Sequence, residues 1–120
     1  MIEQEYYKQI QELIETYEVN SKVRYNEKLL TNWTIGKLLV EAQGGLNRAK
    51  YGDGLINKWA IELEKNYGIN YSKRNLMFYR TFYSLFPNVN TLCSHLSWSH
   101  YRYLLPIKNE SERNYYIKSY

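Results

Sequence analysis

These 120 residues predict an all-α fold, and three observations carry the prediction. Only 6 Gly and 2 Pro punctuate the chain, too few for a run of short strands, although one small hairpin fits. Apolar residues recur at three- and four-residue spacing along most of its length. Capping and stopping residues stand where those patterns break. With 44% hydrophobic and 23% charged residues, the chain has the apolar material for one core, which excludes disorder, collagen and a disulfide scaffold.

The elements follow in order. Ile2, Tyr6, Ile10, Leu13, Ile14 and Tyr17 form one stripe and predict an amphipathic helix over 2–19. A second helix runs from about Ser21 to Gln43 and stops at Gly44-Gly45, where glycine enters a left-handed C-cap at no steric cost. Residues 46–54 are a basic loop ending in Asp53, a natural N-cap. Leu55, Ile56, Trp59, Ala60, Leu63 and Tyr67 give the inner face of a third helix, which ends at Gly68. Ser72 caps a fourth, with Leu76, Tyr79, Phe82, Tyr83 and Phe86 inward and Pro87 closing it. Residues 88–96 are an irregular connection. Ser97 caps a short helix to about Leu105, and a last helix begins near Ser111. Residues 1–43 thus form a long N-terminal helical segment, suited to a dimerisation arm, and 44–120 the core of a single compact domain.

Charge is unevenly placed. The net charge is −2 over residues 1–47, +4 over 48–80 and +2 over 81–120. A basic middle on a basic domain is compatible with nucleic acid. That middle holds two short helices joined by a tight turn, the helix-turn-helix plan, in which the first turn of the second helix meets DNA. Here that turn is Ser72, Lys73, Arg74 and Asn75. Cations there bind phosphate or guanine, an asparagine reads adenine, and the helix N-terminus favours an anion. Arg48 and Lys50, in the preceding loop beside Tyr51, are placed to clamp backbone phosphates. Arg80 supports the same site; one helical turn beyond Leu76, it is equally placed to pair with a buried carboxylate. Any αα-hairpin also has a polar first turn, so the pattern alone leaves a solvated surface open.

Other chemistries find no support. Cys93, His95 and His100 bunch within eight residues, short of the four spaced ligands of a structural zinc site, and His100 reads as a packed helix residue. Asp53 is the one aspartate, and no acid stands two residues before a lysine, so the E-x-K element of metal-dependent nucleases is missing. No phosphate-binding loop or nucleophile motif occurs. The chain is expected to have no catalytic residue, cofactor, metal or small-molecule substrate. A single cysteine, an acidic start and no apolar run of membrane-spanning length lead to an expected cytoplasmic location.

Six segments in register carry a family resemblance: WTIG (33–36), GGLNRAKYG (44–52), LI (55–56), YSKRNL (71–76), RTFYSLFP (80–87) and LSWSHYRYLL (96–105). Together they resemble the N-terminal domain, of unknown function, of the YhcG-like bacterial proteins. The matching residues are Trp33, Gly36, Arg48, Tyr51, Gly52, Ser72, Asn75, Leu76, Arg80, Trp98, His100, Tyr101 and Arg113. The resemblance implies a winged-helix-like module that recruits DNA or mediates assembly, with hydrolysis in a later PD-(D/E)xK nuclease domain. These 120 residues do not include that domain.

The expected function is therefore a DNA-binding accessory domain of a YhcG-like nuclease protein, with duplex DNA as partner. The rival is a protein-interaction or homodimerisation module. The N-terminal amphipathic helix and the 17% aromatic content support it, since aromatic residues are enriched at interfaces. The two readings are compatible, because helix-turn-helix proteins commonly bind DNA as dimers.

Overall fold

The computed structural model describes residues 3–19, 25–45, 53–92 and 96–119. Its helices are α1 (Glu3–Val19), α2 (Tyr25–Ala42), α3 (Asp53–Tyr67), α4 (Lys73–Leu85), α5 (Trp98–Leu104) and α6 (Glu110–Ser119). Short 3-10 turns occupy Ile69–Tyr71 and Val89–Thr91. Among the described residues there is no strand, so the all-α class holds and neither a small hairpin nor a β wing is found there.

The helix ends follow local chemistry. At the end of α2, Gly45 N–H donates to the Val40 carbonyl at 2.9 Å and Gly44 N–H to Glu41 at 3.1 Å. That is a Schellman pair, and it requires the positive φ of 94° at Gly44. Ser72 Oγ accepts from Asn75 N–H at 3.3 Å and caps α4 as expected. At α5 the cap is reciprocal: Ser97 Oγ accepts from His100 N–H, while His100 Nδ1 accepts from Ser97 N–H at 3.1 Å. The α6 start lies one residue before the expected Ser111, because Asn109 Oδ1 accepts from Glu112 N–H at 3.0 Å and acts as cap.

Helix α4 is central. It lies along α2 in the most extensive helix–helix contact and also meets α3, while α1 lies across α2 and touches α3. The α2–α4 approach depends on Gly36, where an added Cβ would stand 2.0 Å from the Tyr79 carbonyl oxygen. Phe82 is fully buried, with Phe86, Trp98 and Tyr101 ring centroids 4.9 to 5.8 Å away. Trp98 is thus a core residue that also meets Tyr79 edge-on at 5.2 Å.

Ile10 and Ile14 of α1 are fully buried, while Tyr6, Leu13 and Tyr17 are half-buried. The stripe is therefore spent in large part on the molecule's own core. Two phenols fasten α1 to the hairpin: Tyr67 donates to Glu15 Oε1 at 2.6 Å and Tyr71 to Glu18 Oε1 at 2.7 Å.

Candidate nucleic-acid interface

The turn between α3 and α4 is built by a glycine and a serine. Gly68, at a φ of 104°, lets the chain leave α3, and its N–H still donates to the Glu64 carbonyl at 2.9 Å. One 3-10 turn follows, and Ser72 then starts α4. This compact link points the first turn of α4 outward, with Lys73 and Arg74 exposed. No acid stands in that turn, and neither cation pairs with a carboxylate among the described residues. Two cations at the positive end of a helix dipole repel the helix's own partial charge. An anion placed there relieves that repulsion.

Asn75, expected to read a base, also has a contact within the turn. Its Nδ2 donates to the Ile69 carbonyl at 2.9 Å, and the residue is half-buried. The amide serves the turn. Arg80 is 9% exposed, with Nη1 3.5 Å from Gln43 Oε1 at the end of α2. It belongs to the α2–α4 contact, one turn of α4 and more away from the exposed cations. Arg48 and Lys50, with Tyr51, lie outside the described residues, as do Cys93 and His95. Among the described residues no group of three or more His, Cys, Asp or Glu could hold a metal, and no helix is long and apolar enough to cross a membrane.

Two residues that sequence reasoning missed complete the surface. Phe78, half-buried on α4, has the Arg74 guanidinium 5.6 Å from its ring centroid and that of Arg102 at 4.9 Å. The Arg74–Phe78 pair follows from i, i+4 spacing on one helix. Arg102 comes from α5, and no local pattern announces it. It also sits near Tyr79, whose phenol donates to the Asn70 carbonyl at 2.8 Å. Burial raises the Tyr79 pKa well above its ordinary value, and the Arg102 charge offsets part of the rise.

A second concavity lies on the α1–α2 side. This groove of about 660 Å³ is lined by Leu13, Tyr17, Leu30 and Leu38, with Glu12, Lys37 and Glu41 also in its wall. Leu30 is 45% exposed there.

No curated protein and no solved structure matches the chain. The family model described as the DUF1016 N-terminal domain matches residues 9–120, nearly the whole chain, from within α1 through α6. The chain therefore belongs to the DUF1016 N-terminal domain family, the YhcG-like context to which the sequence motifs pointed.

Proposed function

We propose that this domain binds duplex DNA through the first turn of α4 and positions it for a YhcG-like nuclease protein without hydrolysing it. The observation that carries the reading is the outward-facing Lys73 and Arg74 at a helix N-terminus, with no acid in the turn and no carboxylate partner among the described residues. The net charge of +4 over residues 48–80 adds a long-range attraction for a polyanion. A module acting beside a nuclease in the cytoplasm is part of the same proposal.

Fluorescence anisotropy with a labelled duplex tests it. Binding at low salt that weakens steeply as salt rises is expected, because phosphate contacts release counterions. The Lys73→Gln/Arg74→Gln double variant, changed only at exposed positions, is expected to bind at least tenfold more weakly. A wild-type protein that binds no duplex at low salt removes the reading.

A second reading has its own observation. The α1–α2 groove exposes leucines beside a tyrosine, a composition suited to a protein partner or a second copy of the chain. Because Ile10 and Ile14 are spent on the internal core, a homodimer would use Leu13, Tyr17 and the α2 wall. Sedimentation at micromolar concentration decides between monomer and dimer.

A further inference from the structure

We infer that this surface grips the phosphate backbone of duplex DNA without regard to base sequence, through a clamp in which the Phe78 ring holds both Arg74 and Arg102. The inference rests on the DNA-binding reading and supplies its chemistry.

The clamp joins two helices. Arg74 lies against the Phe78 ring one turn further along α4, and Arg102 reaches the same ring from α5. A cation over an aromatic face is attracted by the ring quadrupole, so one ring gathers two like charges that would otherwise separate. Neither guanidinium is neutralised by a carboxylate among the described residues, and the exposed Lys73 adds a third charge to the same first turn of α4. A guanidinium lying on a ring keeps the N–H groups at its edge free, the geometry that takes a phosphate in bidentate fashion.

Base reading is disfavoured at the clamp. An asparagine reads adenine by giving an amide N–H and taking one in return, but the Asn75 amide is held in the turn, with one of its two N–H groups donating to Ile69 and the residue half-buried. The Arg74 guanidinium is engaged on the Phe78 ring, and reading a guanine edge would draw it away from that contact. A base stacking on Phe78 would have to displace a guanidinium, which disfavours the aromatic platforms used on single strands.

The test is anisotropy over a salt series with three duplexes of equal length and unrelated sequence, plus one single strand. The three duplexes are expected to bind within about threefold of one another and more tightly than the single strand. Arg102→Gln, at an exposed position, is expected to weaken all three by a common factor of about five and to lower the salt slope by about one. Phe78→Leu keeps every charge, so it should weaken binding with the slope unchanged, provided its melting temperature is near that of wild type. A hundredfold preference for one duplex overturns the inference. So does an Arg102→Gln protein with wild-type affinity and slope; if Lys73→Gln/Arg74→Gln still binds weakly, the DNA reading survives that failure. Tighter binding to the single strand than to the duplexes would also overturn it. If no duplex binds the wild-type protein, both readings fall together.

Discussion

The indole N–H of Trp33 donates to the backbone carbonyl of Phe86 at 2.7 Å, joining the middle of α2 to the residue that ends α4. Carbonyls in the last turn of a helix have no intrahelical partner, and a buried one left unsatisfied is costly. Trp33 meets that need while packing edge-on against Tyr83 at 5.2 Å. Trp33→Phe keeps an aromatic ring and removes the donor. It should lower stability by about 1–3 kcal/mol, read as a shift in urea midpoint with an unchanged slope.

Gly36 sits one turn further along the same contact. A methyl group there would meet the Tyr79 carbonyl at 2.0 Å, and backbone cannot step aside as a flexible side chain can. Intrinsic helix propensity favours alanine over glycine by about 1 kcal/mol, so a stabilised Gly36→Ala protein would disprove the close contact. The expected result is a loss of about 3 kcal/mol, the upper end of over-packing costs, measured by thermal or urea unfolding.

Alkaline pH should unfold this protein through its tyrosines. Burial raises the Tyr71 pKa above its ordinary 10.0, and the Glu18 carboxylate that its hydroxyl donates to raises it further. Tyr79 is raised by burial as well, and Tyr67 is pushed up to about 12, chiefly by its hydrogen bond to Glu15. A folded pKa above the unfolded one means full stabilisation below about pH 10 and loss as pH rises beyond it. Tyr71 and Tyr79, the two buried phenols, each contribute up to about 1.4 kcal/mol of lost stability per pH unit. Urea midpoints should stay level in this respect from pH 8 to 9 and fall steeply above 10. Tyr71→Phe should make the fall shallower.

Arg113 should prove structural. It is 6% exposed, donates Nη1 to the Ile107 carbonyl at 2.9 Å and lies 5.7 Å from the Phe86 ring centroid. Losing a charged hydrogen bond and its packing predicts a cost of about 2 kcal/mol for Arg113→Ala. Arg113→Lys should not restore it, because an ammonium lacks the planar fork that stacks and donates together. DNA affinity at a temperature where both variants are folded should be unchanged.

Local chemistry was well read from sequence because caps act over three or four residues. Ser72, Ser97, Gly44 and Gly68 each ended or began a helix by contacts within their own segment. Long-range contacts were not legible. Arg102 meets Phe78 across 24 positions, and only the packing of α5 against the rest of the fold brings them together. Gly36 stood in a motif with no sign that a neighbouring backbone needed its missing side chain. Arg113 lies on a helix whose other residues are largely polar, so no apolar face marked it as buried. Arg80 was readable as ambiguous from its place one turn after Leu76, and it is buried.

The most direct test of the central claim is where duplex DNA lands. Amide chemical shifts followed during titration with a short duplex should move most at Ser72, Lys73, Arg74, Phe78 and Arg102, and little at Leu13, Tyr17, Leu30 and Leu38 of the α1–α2 groove. Shifts concentrated in that groove, with residues 72–78 unmoved, would contradict the account.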